Sequence, residues 1–562
     1  MDAELLPRDA MPSFQTHQVV NQVTPLRDYC LYDTDPVLRV AVVREGAATH
    51  EQALREHGTW LGREGVQRAA AQANRHPPEL AAYDASGHRV DKVDFHPAWH
   101  LLLSGIVERG LHSAAWSDIR PGAHVARAAA YLLQGQVEAG TLCPVTMTFA
   151  AIPLLRDEPA IEIDFPGEWL PRAMSRRYDP ADAPVGNKQG VLFGMGLTEK
   201  QGGSDLRAVS TRAEPVGAAG QGRAYLLTGH KWFYSVPHAD AHLVLATTSD
   251  GQSCFFVPRW IPDGGRNAVR LRRLKDKLGN RSNASGEVEF EEAWGVMVDQ
   301  PGRGLARLLD MAAVTRLDCV LASAALLRQG LVQALHHARH RHAFGKPLID
   351  QALMRVVLAD LALESEAAVA LALRLARAMD ERADPGARLL ARIGTPAAKL
   401  WVCKRAIPML AEAMEVCGGN GYVEESPMPR LYREAPVNSI WEGAGNIMAL
   451  DVPRALQREA GARDAVLAEL QPACAASPVY ARALRSWMDG LDDALAHPEQ
   501  ARALSAGLAR LWQAALLLRH APSVVADAYV RTRLEGAGGV CGESLNLREA
   551  DALLARAWPA IC

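Results

Sequence analysis

Between about residues 190 and 300 the apolar residues stop recurring at helical spacing and instead alternate or run in short blocks, and from Gly304 the helical spacing returns. A chain patterned this way has to build a β unit between two helical ones, because side chains repeat about every two residues on a strand face and about every 3.6 on a helix face. Tyr225-Leu-Leu-Thr, His242-Leu-Val-Leu-Ala-Thr-Thr, Cys254-Phe-Phe-Val and Glu287-Val-Glu-Phe, set between Gly, Asn, Asp and Pro turns, read as strands. After Gly304, residues Leu317, Val320, Leu321, Ala324, Leu327, Leu331, Ala334, Leu335 and Ala338 form one apolar stripe. A second long helical pattern covers about 351–382 and a third about 395–416, where Gly418-Gly419 stops it. With the segment after Trp441 these make a bundle. The stretches 39–46 and 121–140 favour helix before the β unit, up to about residue 165. The Ala/Leu/Arg-rich tail is cut into short helices by Pro472, Pro478, Pro498 and Pro522. The expected division is a helical domain over 1–190, a β domain over 191–300, a helical bundle over 301–455 and an extra helical domain over 456–562. That accords with the roughly three or four domains expected of 562 residues.

Charge narrows the function classes. Lys plus Arg is 61 against 64 Asp plus Glu, so no global field draws the chain to nucleic acid or anionic lipid, and a polyanion site has to be a local patch. The first seven residues, Met-Asp-Ala-Glu-Leu-Leu-Pro, lack the basic and apolar blocks of a signal peptide, and no apolar run is long enough to span a bilayer. A cytoplasmic protein is expected, without membrane attachment. The nine cysteines are scattered, odd in number and never paired as C-x-x-C, which points to reduced core residues rather than a disulfide frame or a cysteine zinc site. His336, His337, His340 and His342 invite a metal reading, but no carboxylate or cysteine companion lies beside them, and no metal is expected.

Gly194-Met-Gly-Leu-Thr-Glu-Lys-Gln-Gly-Gly-Ser-Asp205 precedes the β domain. Glycines with a Ser and a Thr suit a loop around a pyrophosphate or a flat polar ring, since they allow close backbone approach. Glycine content alone reads equally well as a plain turn. The segment is neither a Walker A loop nor G-x-G-x-x-G.

The run Met-Gly-Leu-Thr-Glu-x-x-x-Gly-Ser-Asp resembles the flavin loop of acyl-CoA dehydrogenases, and four further signatures follow in that family's order. These are Lys231-Trp-Phe-Tyr-Ser235, Arg341-His-Ala-Phe-Gly345, Glu415-Val-Cys-Gly-Gly-Asn-Gly-Tyr422 and Tyr432-Arg-Glu-Ala-Pro-Val-Asn-Ser-Ile-Trp-Glu-Gly443. The resemblance covers roughly residues 50–455, and Glu-Lys-Gln-Gly-Gly-Ser-Asp and Asn-Ser-Ile-Trp-Glu-Gly are most similar to the alkylation-response, AidB-type branch. It implies N-terminal helices, a central β-barrel, a C-terminal four-helix bundle and FAD between barrel and bundle, with the tail matching that branch's extra helical domain. It implies that Met195, Gly196, Leu197, Thr198, Gly202, Gly203 and Ser204 line the flavin. Phe233 would pack on the isoalloxazine and Ser235 would donate to N5, with Tyr234 between them. Ile440, Trp441, Gly443 and Asn446 would also meet the cofactor. Arg341, Phe344, Gly418 and Gly419 match residues that reach the FAD of a neighbouring subunit, so a homo-oligomer, with a tetramer favoured, follows from cofactor binding.

Oxidation of an acyl-CoA requires a carboxylate that removes the α-proton while the β-hydride passes to the flavin. Glu442, in Ile-Trp-Glu-Gly, fits such a base in an enclosed site beside Trp441. The bland reading is a carboxylate facing the N-terminus of the helix that begins near Asn446. The family's other base position, immediately before an Arg on the first bundle helix, is Thr315 here and cannot act as a base. Ala444 stands where many dehydrogenases carry Thr, and the AidB branch is regarded as poor at acyl-CoA oxidation.

Over 452–562 there are 12 arginines, no lysine and 12 acids, so the tail is neutral by itself. Arg482 with Arg485, and Arg531 with Arg533, are spaced to form patches; a solvated outer face explains them as well as phosphate contacts do. The resemblance raises non-specific binding of double-stranded DNA in an alkylation response, with weak dehydrogenase chemistry. The alternatives are a working dehydrogenase for a branched or unusual acyl-CoA, whose tail serves only oligomerisation, and a flavoprotein whose FAD merely stabilises the assembly.

Overall fold

The computed structural model describes residues 16–536 and 539–558; the expectations drawn from residues 1–7 and Cys562 lie outside them. Helices begin where the sequence supplies a cap: Asp35 accepts from Leu38 N at 3.0 Å and Pro36 occupies the first turn of α1 (Pro36–Arg44). α2 (Glu51–Gly62), α3 (Glu64–Arg75), α4 (Pro97–Glu108), α5 (Ala114–Ser117), α6 (Ala123–Gly135), α7 (Leu142–Leu155) and α8 (Leu170–Ala173) complete the N-terminal helices. They are interrupted by a hairpin that the sequence reading missed, β1 (Glu79–Tyr83) paired with β2 (Arg89–Asp94). Its turn is closed by Asp84, which accepts from Ser86 N and His88 N, each at 2.8 Å. Apolar spacing carries no signal for so short and polar a ribbon.

The β domain holds β3 (Phe193–Gly196), β4 (Arg212–Pro215), β5 (Ala224–Ser235), β6 (Ala241–Thr248), β7 (Gly251–Pro258), β8 (Val269–Leu274) and β9 (Ser285–Val298). β5 pairs with β9, β9 with β7 and β7 with β6. β3 and β4 each bridge β6 back to β5, so the sheet closes into a barrel with β8 on its flank. Closure leaves few free edges. The interior is packed by Tyr225, Leu227, Tyr234, Phe255, Val288 and Phe290. β3, β4 and β8 are additions to the four strands expected. β3 ends inside the glycine segment, so residues 194–196 are part of the barrel rather than a lead-in to it.

The bundle comprises α9 (Gly304–His340), α10 (Ala352–Asp380) and α11 (Pro385–Val416), with the one-turn α12 (Gly419–Tyr422), α13 (Met428–Asn438) and α14 (Gly445–Arg458). α11 starts earlier than its apolar pattern suggests. Asp384 caps it by accepting from Ala387 N at 2.7 Å, and Pro385 sits at its first position. Gly394 within it is a packing residue, because a Cβ there would lie 2.8 Å from the Trp512 ring.

The tail, α15 (Ala462–Leu470), α16 (Pro478–Asp489), α17 (Leu491–Ala496), α18 (Ala501–His520), α19 (Ser523–Val530) and α20 (Leu547–Ala557), folds back on the bundle. Arg533 is buried and pairs with Asp360 and, at 3.2 Å, with Glu364, both on α10. Arg556 pairs with Glu366 at 2.9 Å, and Arg328 on α9 donates to the Ala557 carbonyl at 2.6 Å. The expectation that Arg533 forms a surface patch for DNA is thus corrected: its guanidinium neutralises two buried carboxylates. Among the described residues no helix is long and apolar enough to cross a membrane.

Removing one member of a buried ion pair leaves its partner desolvated and unbalanced. Arg533→Ala should cost about 3–5 kcal/mol in denaturant unfolding, whereas Arg485→Ala, on the exposed face of α16, should cost no more than about 0.5 kcal/mol. Equal losses for the two would contradict the assignment of Arg533 as the tail's anchor.

Candidate functional site

The loop after β3 is held from beneath by one carboxylate. Glu199 is buried and accepts from Lys231 Nζ at 2.7 Å, Thr211 Oγ1 at 2.6 Å and Thr211 N at 3.1 Å on one oxygen. Its other oxygen accepts from Ser210 N and Oγ at 2.7 Å and from Gln201 Nε2 at 2.6 Å. Burial alone would raise the Glu199 pKa, but the Lys231 ammonium and these donors hold it well below the usual carboxylate range. Burial pushes Lys231 down to about 8 against the pull of Glu199, so the pair stays ionised at neutral pH. Glu199 and Gly202 exchange both backbone hydrogen bonds at 3.1 Å, and Trp232 N donates to the Thr198 carbonyl at 2.8 Å. The loop therefore has a fixed shape, with Thr198 and Gly202 half-buried and Gly203 and Ser204 at the surface.

Two glycines at its root have a different reason from the one the sequence suggested. A Cβ on Gly196 would lie 2.7 Å from the Tyr234 ring, and one on Gly194 would lie 2.4 Å from the His242 ring. They make room for barrel side chains, not for a ligand. Tyr234 is likewise corrected: its ring is buried in the barrel, stacked on His242 at 3.9 Å, so its side chain faces away from the surface shared by Phe233 and Ser235. Phe233 is 52% exposed, an aromatic face open beside the loop, and Lys275 Nζ lies 4.6 Å from its ring centre. His242 Nε2 lies 3.1 Å from the Ser235 carbonyl and 3.0 Å from that of Val236, whose φ of 55° is unusual for a β-branched residue. These contacts fix the strand end that carries Ser235.

Glu442 also has left-handed backbone, with φ 58°, ahead of Gly443 at φ 106°. Such a conformation persists only where the surroundings impose it. Arg316 Nε donates to the Glu442 carbonyl at 2.8 Å, Lys399 Nζ donates to the Gly443 carbonyl at 2.9 Å, and Arg316 is itself anchored on Asp451 at 3.1 Å. The Glu442 carboxylate is thereby turned inward, where Thr315 Oγ1 donates to it at 2.6 Å. Burial raises its pKa; the Thr315 hydroxyl, Lys399 and Arg316 offset part of that rise, and Asp318 adds to it. Thr315, which the sequence reading only disqualified as a base, holds the Glu442 carboxylate instead.

Glu442 and Trp441 line a narrow cavity of about 20 Å³ together with Leu142, Cys143, Met147, Thr315, Cys319 and Ala322 and the polar Tyr131, Thr146, Asp318, Glu434 and Asn438. α7 supplies both this wall and a dock for the barrel, since Thr148 Oγ1 accepts from Phe193 N at 3.0 Å. Barrel and bundle are joined again where Glu434 accepts from Asn280 N at 2.6 Å and Asn280 Nδ2 at 2.9 Å. The cavity and the 195–204 loop are thus held in one frame.

The remaining expected residues lie outside that frame. Arg341 donates to the Asn21 carbonyl in its own chain, and Phe344, at φ 52° in a hairpin tip, is 97% exposed. A Cβ on Gly418 or Gly419 would meet nothing within 4 Å. Ile440 is exposed, and Asn446 Oδ1 accepts from Arg502 of the tail at 2.8 Å. Among the described residues nothing pairs Arg341, Phe344, Gly418 or Gly419 with the 195–204 loop of the same chain. Of the tail arginines, Arg531 pairs with Glu549 at 2.6 Å and Arg482 with Glu535 at 3.1 Å, while Arg485 is exposed. His336 meets the Thr24 carbonyl at 2.8 Å, and among the described residues no three His, Cys, Asp or Glu groups are set to hold a metal ion.

The chain's likenesses agree with this geometry. A family profile described as the adaptive response protein AidB N-terminal domain matches residues 21–180; the acyl-CoA dehydrogenase middle domain matches 194–293 and the acyl-CoA dehydrogenase C-terminal domain 302–457. The chain is 49% identical to the putative acyl-CoA dehydrogenase AidB of Escherichia coli over 98% of its own length and 99% of that protein. It is 31% identical to acyl-CoA dehydrogenase family member 11 of Caenorhabditis elegans, over 69% of this chain and 64% of that one. The structure of Caenorhabditis elegans ACDH-11 in complex with C11-CoA superimposes with a TM-score of 0.83, at 24% identity and 98% coverage of both chains, a likeness of fold. The apo form of Bd2924 gives 0.80 at 25% identity, over 89% of this chain and all of the other.

Because the Thr315 hydroxyl stabilises the ionised carboxylate, its loss in Thr315→Val should raise the Glu442 pKa further. A base acts when deprotonated, so the acid limb of the pH dependence of flavin reduction by a thioester should move to higher pH. An unmoved limb would show that the 2.6 Å hydrogen bond does not bear on the base.

Proposed function

The chain belongs to the acyl-CoA dehydrogenase family, in its AidB-type branch, and from that membership we propose that it is an FAD-carrying oxidoreductase in which Glu442 takes the α-proton of an acyl-CoA thioester. The observation that carries this reading is a carboxylate of raised pKa, held by an imposed backbone conformation in the lining of a largely apolar cavity. A carboxylate whose pKa is raised by burial is a stronger base for a thioester α-proton than an exposed one.

The residues present fit FAD. Phe233 offers an open aromatic face, and Thr198, Gly202, Gly203 and Ser204 lie along a loop of fixed shape beside it. When bound, FAD supplies the hydride acceptor. The chain's own part is to orient the thioester in the cavity, keep water from it and move the proton to Glu442. The bare tip of Phe344 and the open Gly418-Gly419 edge support a homo-oligomer, a tetramer, in which these groups complete a neighbour's cofactor site. Ala444 supplies no hydroxyl next to Gly443, which favours slow turnover.

A second activity in the same cytosolic protein, non-specific binding of double-stranded DNA in the response to alkylation, has the description of the N-terminal family profile as support. On the tail it rests on the exposed Arg485 and on Arg482, whose pair with Glu535 lies at the surface, rather than on Arg531, held by Glu549 and the Ser544 carbonyl, or on Arg533, buried against Asp360 and Glu364.

Two measurements separate the activities. Glu442→Gln should keep bound FAD and lower the rate of flavin reduction by acyl-CoA by at least about 100-fold; an unchanged rate would remove Glu442 from the chemistry. Duplex DNA retention should fall steeply with salt and weaken in Arg482→Ala/Arg485→Ala. If the FAD-bound protein ignores DNA at low salt, the second activity is lost and the dehydrogenase reading stands alone.

A further inference from the structure

Part of the lining of the Glu442 cavity is polar, and its hydrogen-bond ledger has one open account. Asp318 is bound by Arg127, whose Nη2 lies 2.7 Å from it, and by Thr146 Oγ1 at 2.7 Å. Thr146 has a single hydroxyl proton and gives it to Asp318, so in its 3.0 Å contact with Tyr131 the tyrosine must be the donor. Both oxygens of Glu434 accept from Asn280. Asn438 differs. It is 1% exposed and lines the cavity, its Oδ1 accepts from Trp441 Nε1 at 3.2 Å, and its Nδ2 has no partner. The amide cannot be turned over to cure this, because the indole N–H only donates and needs the oxygen. Two N–H donors are therefore buried in the cavity lining with nothing of the protein to receive them, an arrangement that is costly unless a ligand supplies an acceptor.

We infer that Asn438 is a specificity-determining residue and that the acyl group taken here carries an oxygen acceptor, a hydroxyl or carbonyl, for its amide. The inference rests on the acyl-CoA reading and deepens it.

The test uses the full-length, FAD-loaded protein and reads dissociation constants from the perturbation of the flavin spectrum, which does not require turnover. The probes are butanoyl-CoA and 4-hydroxybutanoyl-CoA. The 4-hydroxybutanoyl ester should bind about ten-fold or more tightly than the butanoyl ester. Asn438→Asp keeps an acceptor for Trp441 and removes the donors; it should abolish the preference while butanoyl-CoA still binds. Equal binding of hydroxylated and plain esters by the unmodified protein would overturn the inference, meaning that water satisfies the amide, and would leave the acyl-CoA reading intact. If no thioester perturbs the flavin, both fall together.

Discussion

The carboxylate of Glu199 receives six hydrogen bonds from four residues, and Lys231, its ionic partner, is as completely buried as it is. Placing two charges inside a barrel wall is expensive, and the cost is offset only because each donor is present with good geometry. What this secures is shape. The turn at 199–202, the start of β4 through Ser210-Thr211 and the β5 residues that lead to Phe233 and Ser235 are tied to one point. A loop lying on a barrel with no such tie would sample many conformations and would have to be ordered by its ligand.

Glu442, the proposed base, is held by the same logic with the signs reversed. Arg316 and Lys399 grip backbone carbonyls at Glu442 and Gly443, leaving the Glu442 side chain with a neutral donor, Thr315, as its nearest partner. A direct ion pair would have drawn its pKa down; here burial dominates and the carboxylate stays poised upward. Loop and base keep their relation because the barrel is joined to the helices twice, by Phe193 on Thr148 and by Asn280 on Glu434. The tail stiffens the opposite side of the bundle through Arg533.

Much of this was legible in the sequence. The change of apolar period marked the barrel, and the five motifs marked the family and contained Glu199, Lys231, Glu442 and Asn438. What they did not reveal was who touches whom. Glu199 and Lys231 stand 32 residues apart, and nothing in either motif says that they meet. Thr315 was read for the acid it lacks rather than for the proton it can give. Strand alternation already implied that Tyr234 points away from Phe233 and Ser235, and the glycines at 194 and 196 were sized by that buried ring and by His242. Arg533 illustrates the limit of charge patterning, because a cation reads as exposed until its carboxylates, here on a helix about 170 residues earlier, are placed beside it.

The most direct test of the account is cofactor retention by Glu199→Gln, an isosteric change that leaves Lys231 buried without its counter-charge. After extended dialysis the variant should lose the visible flavin band that the unmodified protein keeps, while far-ultraviolet circular dichroism shows the helices intact. A folded variant that retains its flavin as firmly as the parent would contradict the claim that this ion pair sets the shape of the flavin site.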